Sequence, residues 1–258
     1  MKLTLLKKLD EAKGLPAQAG TKSFFWEPEN PVKYLPGQYF YYTFPELKYP
    51  DPRGATRHFT ISSSPTEGNQ LRLTTRIREE SGFKKTLDDL KIGSVIEGEG
   101  PNGTFILDEN EKGTHVLIAG GIGVTPFRSF IKYNIDQKLT DIKLHLIYSN
   151  SLPTEIAFRD ELETWSKQNN NIKVFMTVTK PEESLSASTY ADRQAGKEKW
   201  SGLKGRIDES MISRLTSHLS RPTYWLCGPP PMVSAIEIVL GKMGVTADKL
   251  RSEKFTGY

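Results

Sequence analysis

A short stretch, Arg57-His58-Phe59-Thr60, places a permanent cation, an aromatic ring and a hydroxyl on consecutive residues. Because a β-strand directs alternate side chains to opposite faces, we expect Arg57 and Phe59 on one face and His58 and Thr60 on the other. The serines and the proline that follow are residues that end a strand and begin a turn. An anionic ligand with an aromatic ring would use all these groups. Taken alone, the pattern is more typical of an amphipathic strand with a surface arginine.

The segment 120–126, with the sequence GGIGVTP, lies between an apolar run and a stretch with helical periodicity. Glycines let the backbone approach a ligand, and a helix N-terminus offers unpaired amides and a positive dipole to a phosphate. Pro126 suits the first helical turn, and Thr125 can cap the helix or donate to the phosphate. Proline stands where the G-x-G-x-x-G fingerprint has its third glycine, so a plain strand-to-helix turn is the alternative.

The segment 227–232, with the sequence CGPPPM, repeats this arrangement at the end of another apolar run. Ligands of open α/β sheets bind at such strand ends. Cys227 is the only cysteine of the chain, and a lone cysteine is most often a buried, inert thiol. No sequence feature supplies the base or the lowered thiol pKa that a nucleophile needs. We therefore exclude nucleophilic catalysis by Cys227.

The composition excludes several function classes. The 258 residues carry a formal net charge of +4, too mild to indicate nucleic-acid binding but compatible with an acidic partner. One cysteine permits no internal disulfide, four-thiolate zinc site or self-contained iron–sulfur cluster. The four histidines lack ligand spacing, so no metal is predicted. The first apolar run is too short for a signal peptide and no run reaches membrane-span length, so we expect a cytoplasmic protein.

Two hydrophobic patterns divide the chain near residue 111. Before it, short strands separated by proline and glycine turns predict an antiparallel β-barrel. From Gly113 onward, strands and helices alternate, which predicts a parallel sheet with helices on both faces. The predicted domains are residues 1–111 and 112–258. A helix is expected at 156–168, and Lys180–Gly205 is expected to form a surface loop.

Four features stand in one order along the chain: the R-x-[YF]-[ST] stretch at Arg57, then Gly82-Phe83, the G-x-G-x-T-P turn at Gly121 and the C-G-P-P segment at Cys227. Together they resemble the ferredoxin–NADP reductase superfamily of FAD-dependent NAD(P)H reductases, across essentially the whole chain. The first stretch alone is a weak signal, but the combination at these separations is specific. The resemblance implies an FAD-binding β-barrel domain followed by an NAD(P)-binding α/β domain.

In the first domain, the resemblance implies that Arg57 pairs with the FAD pyrophosphate, for which its planar guanidinium is suited. Phe59 would pack on the flavin, without the hydroxyl of the tyrosine that many relatives have here. Thr60 would hydrogen-bond near flavin N5 and is a catalytic candidate. The other cofactor-binding candidates of this domain are His58, Thr74, Thr75, Arg76, Ile77, Gly82, Phe83 and Lys84.

In the second domain, the resemblance implies that the glycine turn holds the phosphates of a pyridine nucleotide and that Cys227 borders the nicotinamide without attacking it. Glu253 is the acidic candidate beside the flavin, and either Phe255 or Tyr258 covers the flavin ring. Cys227 and Glu253 join Thr60 as catalytic candidates. The other nucleotide-binding candidates are Gly121, Gly123, Thr125, Pro126, Ser149, Gly228 and Pro229.

The choice between NADP and NAD stays open at this point. A 2′-phosphate would meet residues that follow the second and third strands of the α/β domain. Exposed loops collect lysines for other reasons, so the basic residues there are weak support for NADP, which we favour. The candidate donors are Ser149, Asn150, Ser151, Lys180, Arg193, Lys197 and Lys199.

These features predict hydride transfer between NAD(P)H and FAD, followed by release of electrons to a separate carrier, because the chain has no cysteines for a cluster. Ferredoxin or flavodoxin is the expected partner, attracted by basic side chains that are mostly solvated. Alternatives are a free-flavin or quinone reductase, an electron-transfer subunit of a larger complex, and a non-catalytic interaction module. The basic residues in question are Arg72, Arg76, Arg78, Lys84 and Lys85.

Overall fold

The computed structural model describes residues 1–12, 20–181 and 200–256. Their contacts divide the chain into two compact units. The first unit comprises residues 1–107 and 125–137, and the second comprises residues 108–124 and 138–258. Among the described residues, no helix combines the length and the apolar character that crossing a membrane requires.

The first unit is built on a six-stranded antiparallel sheet with the strand order β4-β3-β6-β1-β2-β5. An antiparallel bridge between Ile61 and Leu73, with a hydrogen bond of 2.8 Å from the Ser62 amide to the Arg72 carbonyl, joins the two edges. The sheet thus closes around an apolar core, and the predicted antiparallel β-barrel is confirmed. The strands are β1 (Lys2–Ala12), β2 (Thr21–Pro28), β3 (Tyr39–Thr43), β4 (Thr56–Thr60), β5 (Leu71–Arg76) and β6 (Val95–Asn102).

Two helices, α1 (Gly82–Asp89) and α2 (Thr125–Asp136), belong to this first unit. The buried Arg128 of α2 donates to the Ser62 carbonyl at 2.9 Å and to both carboxylate oxygens of Glu67 at 2.7 and 3.0 Å. The hydroxyl of Ser129 donates to the Ser63 carbonyl at 2.7 Å. These bonds fasten α2 to the turn that follows β4, because a bidentate guanidinium–carboxylate pair fixes orientation as well as distance.

The second unit is built on a six-stranded parallel sheet with the order β10-β9-β8-β7-β11-β12. The predicted parallel α/β architecture is therefore confirmed. The strands are β7 (Gly113–Gly120), β8 (Ile142–Asn150), β9 (Ile172–Val178), β10 (Leu203–Lys204), β11 (Thr223–Gly228) and β12 (Leu250–Lys254). The helices are α3 (Arg159–Gln168), α4 (Glu209–Thr216) and α5 (Pro230–Lys242), with 3₁₀ turns at Gly121–Val124, Pro153–Glu155 and Ala247–Lys249.

Two elements of this second unit differ from the sequence-based expectation. The helix expected from residue 156 begins at Arg159, because Phe158 adopts a left-handed backbone (φ 59°) that interrupts helical geometry. The expected loop Lys180–Gly205 contains the short strand β10, which pairs with the end of β9. Residues 182–199 of that loop lie outside the described residues.

The basic residues of the first unit are less solvated than expected. Arg72 is buried and forms an ion pair of 2.5 Å with Glu11 of β1, while its Nε donates to the Ser23 hydroxyl at 3.0 Å. Lys84 is also buried. Alternation along β5 predicts that Arg72 points away from the apolar residues, but it does not reveal that β1 supplies a carboxylate there. Arg72 is thus neutralised inside the protein.

In the second unit, one hydrogen-bonded chain links β7 and β11. The Trp225 indole donates to His115 Nδ1 at 3.0 Å, and His115 Nε2 lies 2.9 Å from the Glu111 carbonyl. This pattern requires a neutral ring protonated at Nε2. Arg251 lies 4.5 Å from the Trp225 ring centroid and pairs with Glu111, so both ends of the chain are held. Burial lowers the pKa of His115.

We expect His115→Leu to lower the free energy of unfolding by about 1–3 kcal/mol at pH 7.5, because the buried indole loses its acceptor. Since the pKa of His115 is lowered in the folded state, its contribution is complete above the unfolded-state pKa of 6.5 and is lost as the pH falls towards the folded-state pKa. The difference between wild type and variant should therefore shrink in denaturant melts at pH 5. A difference that is constant between pH 5 and 7.5 would contradict this assignment.

Candidate cofactor sites

A cluster of cations, Lys84 and four arginines, lies at the start of α1. The Lys84 side chain is only 8% exposed, and its ammonium has no hydrogen-bond or ion-pair partner among the described residues. Burial, and then the charges of Arg78, Arg53, Arg76 and Arg57, lower the pKa of Lys84 to about 8. An ammonium on a largely buried side chain beside four guanidiniums is stabilised when an anion joins them. The cluster is therefore suited to a ligand with more than one negative charge.

The start of α1 is covered closely by the chain segment that precedes β4. A Cβ atom on Gly82 would lie 2.2 Å from the Pro50 carbonyl oxygen and 2.4 Å from that of Tyr49, so only glycine fits there. The next residue of this segment, Asp51, accepts the Phe83 amide and the Ser81 hydroxyl at 3.0 Å each. Asp51 also forms an ion pair of 2.5 Å with Arg57. A carboxylate of the protein thus already uses donors of the helix start.

Arg57, the predicted pyrophosphate anchor, has several partners within its own loop. Its Nη1 donates to the carbonyls of Arg53, Gly54 and Thr56 at 2.7, 3.0 and 2.7 Å, and its Nη2 donates to Asp51. None of these bonds uses Nε. The guanidinium therefore orders the loop and retains only part of its donor capacity for a ligand.

The side chains of β4 alternate between two faces, as their order predicts. The Arg57 guanidinium and the Phe59 ring both lie against Phe83, at 5.4 and 5.9 Å from its ring centroid. His58 instead lies 5.0 Å from the Tyr39 ring and 5.5 Å from the Tyr41 ring. The predicted candidates Phe59 and His58 thus stand on opposite faces, and only the first shares a face with Arg57.

The remaining first-unit candidates fall into two groups. The Thr60 hydroxyl has no hydrogen-bond partner among the described residues and so is free to meet a ligand. The Thr74 hydroxyl lies 2.7 Å from the hydroxyls of both Ser23 and Ser62, where it contributes to the barrel interior. Thr75 and Ile77 are buried, and Ile77 belongs to the apolar core. Of the predicted threonines, Thr60 is therefore the strongest ligand candidate.

In the second unit, the predicted nucleotide residues meet at one edge of the parallel sheet. The register pairs Gly120 with Ser149, and it pairs Cys227 with both Ala119 and Glu253. Since the strands are parallel, the segments that follow these residues leave the sheet on the same side. The turn at Gly121 and Gly123, the end of β8 and the segment 227–229 therefore lie along this edge, while Thr125 and Pro126 begin α2.

The glycine turn packs directly against the end of β11. A Cβ atom on Gly123 would lie 2.2 Å from the Cys227 carbonyl oxygen, and Gly121 has a φ of 52°, a conformation that favours glycine. Gly228 has a φ of 152° and also lacks room for a side chain. The glycines thus let these backbone segments pack closely at the strand ends, and partly exposed Gly121 is where a phosphate or ribose can approach.

Cys227 and Glu253 are neighbours on adjacent strands and both are shielded from water. Cys227 is fully buried, and burial and then the Glu253 charge raise the pKa of its thiol. This thiol is therefore protonated and unsuited to nucleophilic attack. Burial raises the pKa of Glu253 to about 7, and its Oε2 has no hydrogen-bond partner among the described residues. Glu253 can therefore gain or lose a proton near neutral pH.

The chain beyond β12 is described only as far as residue 256. The Phe255 amide donates to the Gly228 carbonyl at 3.0 Å, which ties the end of β12 to the segment after β11. Tyr258, the other candidate to cover the flavin, lies outside the described residues, as do Arg193, Lys197 and Lys199. The choice between Phe255 and Tyr258 stays a prediction.

Sequence patterns did not indicate the roles of Asp51 and Arg53 at the cation cluster, or the contacts of Tyr39 and Tyr41 with His58. Asp51 precedes Pro52 in a segment typical of a turn, and the Phe83 amide that it accepts lies 32 residues further on. In the sequence, the two tyrosines indicated only a strand rich in aromatic residues. Their partner became apparent only with the pairing of β3 and β4.

Two family models match the chain. The oxidoreductase FAD-binding domain matches residues 19–107, and the oxidoreductase NAD-binding domain matches residues 117–237. The two matches follow the predicted order and together cover most of the chain. The chain belongs to the ferredoxin–NADP reductase superfamily. The prediction of FAD and of NAD(H) or NADP(H) as cofactors is thereby confirmed at the level of the two domains.

Individual relatives agree with this superfamily. NADH-cytochrome b5 reductase 1 of Aspergillus terreus is 29% identical over 204 residues, which cover 76% of this chain and 63% of that protein. The match thus spans less than two thirds of the relative's length. The Amycolatopsis cytochrome P450 reductase GcoB superposes with a TM-score of 0.78 at 20% identity, over 100% of this chain and 70% of that one. A variant of Plasmodium falciparum ferredoxin–NADP⁺ reductase superposes with a TM-score of 0.74 at 18% identity, over 98% and 95% of the two chains.

We expect Gly123→Ala to destabilise the protein by about 1–3 kcal/mol, because the new methyl group would overlap the Cys227 carbonyl, which is backbone and cannot move aside. Gly241→Ala on α5 is the matched control, since no atom lies within 4 Å of its added Cβ and alanine favours a helix. Thermal unfolding of both variants checks this. Equal melting temperatures for the two variants would show that the superfamily's glycine turn tolerates a side chain.

Proposed function

We propose that this protein is an FAD-dependent NAD(P)H reductase that passes electrons to a separate redox protein. The FAD- and NAD-binding family matches support the two cofactors, and we assign them to residues 1–111 and 112–258 respectively. The observation that carries the proposal is the buried Lys84 among four arginines, a cluster whose charge calls for a polyanionic ligand. The diphosphate of FAD has that charge.

The residues of the first unit fit FAD in kind. Arg76, Arg78 and Lys84 would hold the diphosphate, with Arg57 contributing its remaining donors. Thr60 would offer its hydroxyl to the flavin, and Phe59 an apolar surface. When bound, FAD would accept a hydride and release single electrons, chemistry that no amino-acid side chain of this protein can provide.

The residues of the second unit fit a pyridine nucleotide in kind. The backbone of the turn at Gly121 and Gly123 and of Gly228 would accommodate its phosphates and ribose, with Ser149 as a further donor. Fully buried Cys227 would provide a close, unreactive neighbour for the nicotinamide and exclude water from it. We favour NADP over NAD because an amide and a hydroxyl side chain, Asn150 and Ser151, stand at the end of β8 and directly after it.

The electron acceptor is proposed to be a small redox protein with an acidic surface. The curated relatives are named as reductases of cytochrome b5, a haem protein. Ferredoxin and flavodoxin are the other candidates. Of the basic residues expected to attract such a partner, Arg72 is neutralised by Glu11 and Lys84 is buried, so the basic surface is smaller than the sequence indicated. Reduction of free flavin or quinone is the second candidate, since a chain without its own electron-transfer cluster must release electrons to a separate molecule.

The test is rapid mixing of the FAD-loaded protein with NADPH and with NADH under anaerobic conditions. We expect the flavin absorbance to bleach, faster with NADPH at equal concentration. Subsequent addition of ferredoxin, flavodoxin, cytochrome b5 or free FMN should reveal the acceptor by the rate of reoxidation. A purified protein that binds no FAD, or a bound flavin that neither nucleotide bleaches, would refute the proposal.

We expect the bleaching rate to vary about tenfold between pH 6 and 8 with an apparent pKa near 7, the value of Glu253, because this carboxyl can hold a proton beside the reaction site. Glu253→Gln should remove this dependence. The control is Glu237→Gln, because Glu237 lies on α5 and its pKa is lowered by Lys254 rather than raised by burial. A pH dependence that survives in the Glu253 variant would exclude this role.

A further inference from the structure

We propose that Asp51 is an internal anion that competes with the diphosphate of FAD for the donors at the start of α1, so that removing its charge tightens cofactor binding. This inference rests on the proposed function, because it takes the cation cluster as the FAD diphosphate site. It concerns a residue that lies outside the stretch at Arg57 and outside Gly82-Phe83, the two motifs that indicated the site.

Asp51 binds the kinds of donor that phosphate oxygens use. One carboxylate oxygen accepts the Phe83 amide in the first turn of α1 and the Ser81 hydroxyl, both at 3.0 Å. The other oxygen lies 2.5 Å from Arg57 Nη2. A helix-start amide, a hydroxyl and a guanidinium are a typical anion-binding set. Here the protein supplies the anion itself.

The loop that carries Asp51 is ordered around this carboxylate. The Arg53 amide donates to the Asp51 side chain at 3.0 Å, and the Gly54 amide donates to its carbonyl at 2.9 Å. Arg57 binds the carbonyls of the same loop through Nη1. Burial alone would raise the pKa of Asp51, but its hydrogen bonds, led by the Phe83 amide, and the Arg57 charge lower it. The side chain is therefore ionised at neutral pH and only 4% exposed.

One carboxylate does not neutralise the cluster. Lys84 is a second, independent sign of a missing anion, because its side chain is buried and unpartnered within the described residues. A diphosphate drawn to Lys84, Arg76 and Arg78 approaches a carboxylate of like charge that already holds the best-placed donors. Either the two anions share these donors against their repulsion, or Asp51 withdraws with its loop. Either arrangement weakens the binding of FAD, and a neutral residue at position 51 would remove this unfavourable contribution.

The test compares Asp51→Asn with the wild type in titrations of the apoprotein. Asparagine keeps the size and an oxygen acceptor for the Phe83 amide but carries no charge. We expect FAD to bind about tenfold more tightly, the scale of one charge-assisted hydrogen bond. ADP, which has the diphosphate without the flavin ring, should gain by the same factor. The melting temperature of the apoprotein should fall, because a helix cap and an ion pair are weakened.

Asp89→Asn is the matched control, since Asp89 lies on the same helix at its other end and pairs with exposed Lys48. Its FAD and ADP affinities should stay within twofold of the wild type. If Asp51→Asn does not fold, Asp51→Ser serves instead, because serine is small and neutral and its hydroxyl oxygen can accept a hydrogen bond. Equal or weaker binding by the neutral variants would overturn the inference and make Asp51 a positioning residue for Arg57. A wild type that binds neither FAD nor ADP would overturn the proposed function as well.

Discussion

The buried Lys84 near the start of α1 lies within reach of the charges of four arginines, of which Arg53 is exposed. Lys84 and its neighbouring arginines are held there by the barrel, by the tight contact of Gly82 with the preceding segment and by the loop that Arg57 orders. Burying uncompensated charge is costly, so a fold that keeps such a cluster gains stability when an anion binds. Cofactor binding and folding of the first unit are therefore expected to be coupled.

The two units offer contrasting means of recognition. The first presents charged side chains, and the strength with which they bind a ligand depends on which other anions are near. The second presents closely packed backbone, in which Gly123 lies against the Cys227 carbonyl, and its contribution depends on distances that a single methyl group would disturb. Charge differences therefore select what binds in the first unit, whereas steric fit selects what binds in the second.

Local patterns predicted the barrel, the parallel sheet and the order of the cofactor motifs, because periodicity and turn residues act over a few neighbours. They failed where a partner came from elsewhere in the chain. Glu11 neutralises Arg72 from a distant strand, and Asp51 meets a helix that begins 31 residues later. The left-handed backbone of Phe158 makes α3 begin later than predicted, and no glycine at that position indicated it. Charge pairing across the fold is a tertiary property, which one sequence does not contain as a pattern.

The attachment of α2 to the barrel has a consequence for dividing the protein. Residues 125–137 group with the first unit although the glycine turn directly before them groups with the second, so the chain passes between the units three times. A fragment that ends near residue 111 would lack Arg128 and Ser129. The Ser62 and Ser63 carbonyls would then lose their bonds from α2, and the Glu67 carboxylate would lose the Arg128 guanidinium while keeping the Ser64 amide. The two units are therefore not consecutive pieces of chain, and a single cut cannot yield an intact FAD-binding half.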